Sequence, residues 1–295
     1  MTLPGLKIAA APISWGVCEV PGWGRLLDSD RVLGEMSSLG LVATELGPPG
    51  YLPEEPAELG ALLGEHGLRL VGGFLAVVLH DSAQRWSTMD DAGEVIELLA
   101  AVGAEVLVLA AATGLNGYDR RPSLTDEQWQ ALIETAGRIR DLAAGKGLRT
   151  VLHPHVGTHV ETRAEVERFL ADSDLPLCLD TGHLLIGGTD PVELARGHSD
   201  RIGHVHLKDV RAAIAEVVRA GQITYTHAVG AGMYVPLGDG DVDVPTLVRE
   251  LSAAGYTGWY VLEQDTALSG DSSAGDDRPR RDVARSLAHL TATLT

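Results

Sequence analysis

The sequence predicts an α/β fold, a (β/α)8 TIM barrel that forms a single domain over residues 1–295. Three observations indicate it: the length, the alternation of short apolar runs with segments of helical spacing, and a count of eight such repeats. Repeated βα units of this number, in a chain of roughly 250 residues or more, are typical of a barrel. No G-x-G-x-x-G follows the first apolar run, which disfavours a dinucleotide-binding doubly wound sheet.

Each predicted strand is a short apolar or β-branched run followed by polar or glycine-rich residues. The strands are Lys7–Ile13, Leu41–Glu45, Leu68–Leu75, Glu105–Ala110, Arg149–His153, Pro176–Asp180, Ile202–Leu207 and Trp259–Glu263. The predicted helices are Asp30–Gly40, Glu58–His66, Asp90–Val102, Thr125–Lys146, Thr162–Ala171, Pro191–Gly197 and Val244–Ala254. The helix that begins at Thr125 has a capping residue at its start, and Gly147 follows its end.

Two segments depart from the alternation. Residues Arg211–Tyr234 form an insert after the seventh strand, on the side of a barrel where active sites lie, so we expect a lid or a specificity wall. Residues 266–282 are rich in serine, glycine and aspartate, which predicts a mobile surface loop. A C-terminal helix is predicted over 283–295, ending near Leu294.

The charge excludes several classes of function. Lys and Arg number 23 against 41 Asp and Glu, which gives a formal net charge of -18. Polyanions are repelled at this charge, so neither nucleic acid nor an anionic membrane is an expected partner, although bound divalent cations could attract a phosphate locally. The two cysteines are too few for a disulfide scaffold, and no signal peptide or apolar span is recognised. A cytoplasmic location is therefore expected.

Side chains that bind metals end several of the predicted strands. They are Glu45 on strand two, His153 and His155 on strand five, Asp180 with His183 on strand six, His204 and His206 on strand seven, and Glu263 on strand eight. The C-terminal ends of barrel strands meet at one rim, where active sites lie. Nitrogen and oxygen ligands that converge from rigid strands suit a divalent metal, and unpaired charges near a barrel core are otherwise excluded. The sequence therefore predicts a divalent-metal site at this rim.

Each of these residues also has a structural interpretation. Asp180 in LCLDTGH could be a helix N-cap instead of a ligand. His204 and His206 point to the same face by the two-residue period of a strand, and we favour His206 as the ligand with His204 behind it. For His153 and His155 too, one could be the metal ligand and the other a hydrogen-bonded core histidine.

Further residues are predicted to contact a substrate. Trp15 and Trp86 either belong to the core or form walls against a sugar ring. Lys208 contacts the substrate or pairs with its neighbour Asp209. Glu45 binds substrate or contacts a neighbouring strand. The predicted substrate contacts are accordingly Trp15, Glu45, Trp86, His204 and Asp209.

Four motifs carry a resemblance to a known family: HPHVGTHVET at 153–162, LDTGH at 179–183, HVHLKDV at 204–210 and GWYVLEQD at 258–265. Over nearly the whole chain, the sequence resembles the xylose isomerase-like TIM barrels, a superfamily of sugar epimerases, inosose dehydratases and endonuclease IV. Within this superfamily, the sequence is most similar to the inosose dehydratase branch. The similar segments are the opening API-W stretch, the H-x-H-x-GT segment, DTGH, HLKD and the final EQD.

The resemblance implies a metal site with Asp180, His206 and Glu263 as ligands and a fourth ligand from the end of strand five. Epimerases of this superfamily place a glutamate there and use two glutamates as bases on opposite faces of one carbon, whereas this chain has His153. An imidazole can bind a metal but differs from a carboxylate as acid and base, which disfavours epimerisation with two glutamates. Endonuclease IV has three metals and a basic DNA-facing surface, which the acidic charge disfavours here.

The resemblance implies metal-dependent dehydration of a keto-cyclitol through an enediolate. The alternatives are a metal-dependent keto-sugar isomerase or epimerase and, more remotely, a non-catalytic sugar-binding barrel. Glu263 is the candidate base, and Lys208, His155 or His183 is the candidate acid or substrate contact. One divalent metal ion is expected, with Mn²⁺ favoured over Mg²⁺, Co²⁺ or Zn²⁺. A small polyol or keto-sugar is the expected partner, and a homo-oligomer is compatible with the sequence.

Overall fold

The computed structural model describes residues 6–18, 20, 23–268 and 276–294. The strands are β1 Lys7–Ala10, β2 Ala43–Thr44, β3 Arg69–Leu70, β4 Gly72–Val77, β5 Val106–Ala111, β6 Arg149–Leu152, β7 Leu177–Asp180, β8 Ile202–Leu207, β9 Asp209–Val210, β10 Tyr234–Val235 and β11 Trp259–Leu262. The helices are α1 Ser29–Ser38, α2 Pro56–Glu65, α3 Arg85–Ala101, α4 Asp126–Ala144, α5 Arg163–Asp172, α6 Thr181–Ile186, α7 Pro191–Gly197, α8 Ala212–Arg219, α9 Tyr225–Gly230, α10 Val244–Ala253 and α11 Arg278–Leu294. Among these residues, no helix is long and apolar enough to cross a membrane.

Nine of the strands form one parallel sheet in the order β3-β2-β1-β11-β8-β7-β6-β5-β4. Val71, between β3 and β4, joins the two ends of this sheet. Its N–H donates to the Thr44 carbonyl at 2.9 Å, and its carbonyl accepts from the Val106 N–H at 3.1 Å. Because β3 and β4 are thus two parts of one barrel strand, the sheet closes as an eight-stranded barrel. The predicted (β/α)8 TIM barrel is confirmed.

Several predicted boundaries differ from the structure. The first strand ends at Ala10 because Pro12 has no N–H to donate, and Pro12–Trp15 forms a short 3-10 helix instead. The third strand is interrupted at Val71 and extends to Val77. The helix predicted to begin at Asp90 begins at Arg85.

The C-terminal helix also begins earlier than predicted. It covers Arg278–Leu294, with Pro279 in its first turn, where a missing N–H costs no helical hydrogen bond. Residues 278–282, predicted as part of a mobile loop, are therefore helical. The rest of that predicted loop includes 269–275, which lie outside the described residues.

The insert after the seventh strand contains two helices, α8 and α9. They lie between strands β9 and β10, which pair with each other. The carboxylate of Asp209, at the start of β9, accepts hydrogen bonds from the backbone N–H groups of Val210, Gly238, Gly240 and Val242 at 2.8 to 3.0 Å. Asp209 is buried and fastens the returning chain to β9. The structure therefore gives Asp209 a structural role in place of the predicted substrate contact.

Candidate metal centre and active site

A cavity of about 620 Å³ opens at the C-terminal end of the barrel strands. The ionisable groups that line its inner part are Glu45, His153, His155, His206, Lys208, Glu263 and Asp265. Its outer walls are mainly apolar, and they include Trp23, Leu52, Phe74 and Tyr118. Glu54, Asp91 and Glu94 also line it. The cavity therefore joins a polar floor to mainly apolar walls, as expected of a site that takes a small molecule.

Three of the predicted metal ligands converge on one point at this floor, where His206 and Glu263 line the cavity and Asp180, 0% exposed, lies directly behind them. Asp180, His206 and Glu263 each offer a ligand atom within 4.8 Å of the other two. His206 Nδ1 lies 3.3 Å from Glu263 Oε2 and 3.6 Å from Asp180 Oδ2. Both Nδ1 of His206 and Oδ2 of Asp180 are buried without a hydrogen-bond partner among the described residues. Buried polar atoms are rarely left so, and a cation between these donors would satisfy them.

The neighbours of His206 fix which of its nitrogens faces that point. His206 Nε2 lies 3.2 Å from Glu45 Oε1, and His204 Nε2 lies 2.7 Å from the same oxygen. Since a carboxylate can only accept, both rings carry a proton on Nε2, and Nδ1 of His206 is the nitrogen that a metal would bind. His204 does not line the cavity. The structure therefore places His204 outside the cavity and behind His206, as in the favoured interpretation, and not at a substrate contact.

Asp180 fills both of the roles left open by the sequence. Its Oδ1 accepts from the backbone N–H groups of Gly182 and His183 at 2.9 Å and caps α6. Its Oδ2 points away from the helix and lies 3.4 Å from His153 Nε2. Burial opposes ionisation, but the Lys208 ammonium and the His183 ring outweigh it and hold the pKa of Asp180 well below its usual range. Asp180 is therefore an ionised cap with one free oxygen.

His153 lies beside this group of three donors. Its Nδ1 donates to the carbonyl of Pro154 at 2.9 Å, so Nε2 carries the lone pair and faces Asp180 Oδ2. His153 lies on the same side of the barrel as His206, with 5.0 Å between ring centroids. Two imidazole nitrogens and two carboxylates form a donor set typical of divalent transition metals.

Lys208 lies among the carboxylates of the floor. Its Nζ is 3.0 Å from Glu263 Oε2 and 2.5 Å from Asp265 Oδ1. Burial alone would raise the pKa of Glu263, but His206 and Lys208 lower it to about 2. Asp265 is the partner that the sequence analysis missed, although it is the last residue of the EQD motif. Lys208 does not pair with Asp209, the alternative considered from the sequence.

His155 and His183 pack together beside the donor group, with 3.7 Å between ring centroids. Only His155 lines the cavity, and its Nδ1 donates to the carbonyl of Val156 at 2.7 Å. Burial, with the nearby His153 and Lys208, lowers the pKa of His155 to about 3. The ring is therefore neutral at neutral pH and presents Nε2 as an acceptor.

This lowered pKa predicts a pH dependence of stability. Unfolded histidine has a pKa of about 6.5, so between about pH 6.5 and 3 the unfolded chain holds the His155 proton and the folded protein does not. The free energy of unfolding therefore falls as the pH falls, by up to about 1.4 kcal/mol per pH unit from this residue. Urea unfolding of the metal-free protein at several pH values should give a shallower fall for His155→Gln than for wild type. His227→Gln, at an exposed position, is the control, and equal slopes for wild type and His155→Gln would contradict the assignment.

The two tryptophans predicted as sugar walls lie elsewhere. Trp15 is 0% exposed, and its Nε1 donates to Glu35 Oε2 at 2.8 Å, so it belongs to the core. Trp86 is 84% exposed on α3 and does not line the cavity. The structure therefore places neither tryptophan in the cavity. Among the described residues, the aromatic side chains of its walls are instead Trp23, Phe74 and Tyr118.

The insert does not form the cavity wall that was expected of it. No residue of 211–234 lines the cavity in the described part of the chain. The insert packs behind the floor, where Tyr225 donates to Asp265 Oδ2 at 2.6 Å.

Comparisons with known proteins agree with this fold. Residues 33–292 match the model of the family described as xylose isomerase-like TIM barrel. An inosose dehydratase of Geobacillus kaustophilus is 35% identical over 281 residues, which cover 91% of each chain. A probable 3-DHS dehydratase from Bacillus anthracis shares the fold with a TM-score of 0.71 and 18% identity, over 97% of this chain and 99% of that one. The IOLI protein, solved with a zinc atom, has a TM-score of 0.66 and 15% identity, over 97% of this chain and 96% of that one. The chain therefore belongs to the xylose isomerase-like TIM barrel family, in the branch of the inosose dehydratases.

Proposed function

We propose that this protein is a divalent-metal-dependent lyase that dehydrates a keto-cyclitol. The observation that carries the proposal is the pair of buried, unpartnered donors, Asp180 Oδ2 and His206 Nδ1, that face Glu263 at the floor of a cavity. The inosose dehydratases among the curated relatives supply the reaction class. A place in inositol catabolism, a cytoplasmic location and a homo-oligomer remain predictions of the same proposal.

The metal would be held by His153, Asp180, His206 and Glu263. Bound there, a divalent ion would act as a Lewis acid toward a ketone oxygen and a neighbouring hydroxyl. We propose Mn²⁺, and the same donors also suit Zn²⁺, the ion named for the IOLI protein.

The side chains at the floor divide the proton transfers between them. Glu263, ionised at neutral pH, accepts the proton from the carbon next to the ketone. Lys208 Nζ, whose pKa is raised well above its usual range by Asp180, Asp265 and Glu263 against the effect of burial, gives a proton to the departing hydroxyl, which leaves as water. The proton taken up by Glu263, 3.0 Å away, then restores the ammonium. The neutral ring of His155 accepts a hydrogen bond from a substrate hydroxyl through Nε2. The apolar walls exclude water while charge develops.

The first experiment is an ultraviolet time course with 2-keto-myo-inositol on metal-stripped protein, with and without added Mn²⁺. We expect a conjugated dione absorbance that grows only with the metal and falls at least about a hundredfold in rate in Glu263→Gln, because the base is lost. Glu105→Gln, at the opposite end of the barrel, is the control and should keep the wild-type rate.

Two results would contradict the dehydratase proposal. The proposal would be contradicted if protein that binds one metal ion gave no increase in dione absorbance. Exchange of substrate hydrogen with solvent, without loss of water, would instead indicate the keto-sugar isomerase or epimerase alternative. A non-catalytic sugar-binding barrel is disfavoured because Asp180, His206 and Glu263 still offer ligand atoms within 4.8 Å of one another, with His153 Nε2 3.4 Å from Asp180 Oδ2.

A further inference from the structure

Of the carboxylates that surround the Lys208 ammonium, one lies outside the proposed metal ligands. Its Nζ has three acidic neighbours, and two of them, Asp180 at 3.6 Å and Glu263 at 3.0 Å, are proposed metal ligands. The third, Asp265, is the nearest at 2.5 Å and lies outside the donor group. Lys208 Nζ also lies 3.2 Å from His183 Nε2, which carries no negative charge. Asp265 is therefore the carboxylate that holds Lys208 in a metal-loaded site.

Asp265 itself is not held by regular structure. It follows β11 in an irregular segment, so its orientation depends on side-chain contacts. One of its oxygens receives Lys208, and the other accepts from the hydroxyl of Tyr225 at 2.6 Å. The Tyr225 hydroxyl lies 2.9 Å from that of Tyr234. Because the single proton of Tyr225 goes to Asp265, Tyr234 must donate to Tyr225. The hydrogen bonds run in one direction, from Tyr234 through Tyr225 to Asp265.

Both tyrosines come from the insert and are anchored there. The Tyr225 N–H donates to Asp119 Oδ1 at 2.8 Å, and the ring is 1% exposed. Tyr234 pairs with Val210 in the small ribbon that directly follows Lys208. Tyr234 and Lys208 are also packed so closely over Gly182 that a Cβ there would lie 2.9 Å from the ring and 2.8 Å from Lys208 Cβ. The insert therefore reaches Lys208 in two ways, through the Tyr225–Asp265 hydrogen bond and through the packing of Tyr234 beside Lys208.

We propose that Tyr225 is a positioning residue that holds Asp265, and through it Lys208, at the floor of the cavity, with Tyr234 supporting it from behind. The insert then acts on the reaction from outside the cavity, without touching the substrate. This inference rests on the proposed dehydration for its kinetic readout only, since the hydrogen-bond chain does not depend on which reaction is catalysed.

The test compares Tyr225→Phe, Tyr234→Phe and Tyr256→Phe in the metal-loaded enzyme. Tyr256 is the matched control, because it loses a part-buried hydroxyl that donates to the Trp259 carbonyl and has no contact with Asp265. We expect kcat to fall roughly tenfold in Tyr225→Phe, which leaves a buried carboxylate oxygen without its donor, and about threefold in Tyr234→Phe. KM and the Kd for Mn²⁺ should stay near wild type in both, and Tyr256→Phe should keep the wild-type kcat.

Crystal structures of wild type and Tyr225→Phe give a second readout that does not need activity. We expect Asp265 to rotate and Lys208 Nζ to leave it. A Tyr225→Phe enzyme with wild-type kcat, or one whose kcat falls only in step with its metal binding, would overturn the proposal. If the wild type does not dehydrate inososes, the proposed function fails, and an unmoved Lys208 in the variant structure would then overturn the positioning role separately.

Discussion

Asp180→Asn should abolish metal binding while the protein stays folded. The asparagine oxygen can still accept from Gly182 and His183 and cap α6, so the local fold survives. The negative charge at Oδ2, which faces His206 and His153, is lost. We expect the affinity for Mn²⁺ to fall roughly a hundredfold or more, measured by titration calorimetry, and the dehydration rate to fall with it.

The control for this variant is Asp190→Asn. Asp190 caps α7 through the same pair of contacts, with its Oδ1 accepting from Val192 and Glu193 at 2.8 and 3.1 Å, but it lies on the exposed surface. It should leave metal affinity and rate unchanged. Wild-type metal affinity in Asp180→Asn would show that the cation is bound elsewhere, and would contradict the metal site assigned above.

Lys208→Met should cause the largest loss of stability in the metal-free protein. Lys208 is 3% exposed and compensates Asp180, Glu263 and Asp265. Removing one partner of buried ion pairs leaves uncompensated charges, which costs about 3–5 kcal/mol of unfolding free energy. Urea unfolding at pH 7 with a chelator present should show this loss.

The loss should depend on pH and on metal in a defined way. Burial already raises the pKa of Asp265, and removing Lys208 raises it further, so the carboxyl becomes neutral more readily as the pH falls. The penalty is therefore smaller at pH 5 than at pH 7, and saturating Mn²⁺ should restore part of the stability. Lys146→Met, which breaks an exposed ion pair with Glu97, should cost less than about 1 kcal/mol. Equal losses in the two variants would contradict the account of Lys208.

The barrel and its donor group could be predicted from the sequence because their signals are local. Apolar runs of strand length and helical spacing between them are repeated along the chain, and this repetition determines the architecture. The side chain that ends each strand is then placed at one rim by the barrel itself. For this reason the strand ends placed His153, Asp180, His206 and Glu263 at one rim, together with Glu45, His155, His183 and His204, and the resemblance to the family implied which of them bind the metal. In the structure, Asp180, His206 and Glu263 lie within 4.8 Å of one another, and His153 Nε2 lies 3.4 Å from Asp180 Oδ2.

The partners of single side chains could not be predicted in this way. Lys208 and Asp209 are neighbours in sequence, yet adjacent residues of extended chain point in opposite directions, so they do not pair. Lys208 instead meets Asp265, which comes from the last barrel strand. Trp15 and Trp23 lie in the same connection after β1, and only packing against the finished barrel decides that Trp15 is core and Trp23 is wall.

The sequence by itself determined the fold, the rim that carries the chemistry and the residue types of the metal centre, because each follows from a pattern of a few residues along the chain. Only the tertiary structure decided which nitrogen of His206 is free, which oxygen of Asp180 is unpartnered and how Tyr225 reaches Lys208 through Asp265. These contacts join residues far apart in sequence. Their geometry exists only once the barrel has closed, since hydrogen bonds and ion pairs depend on distances that no local pattern encodes.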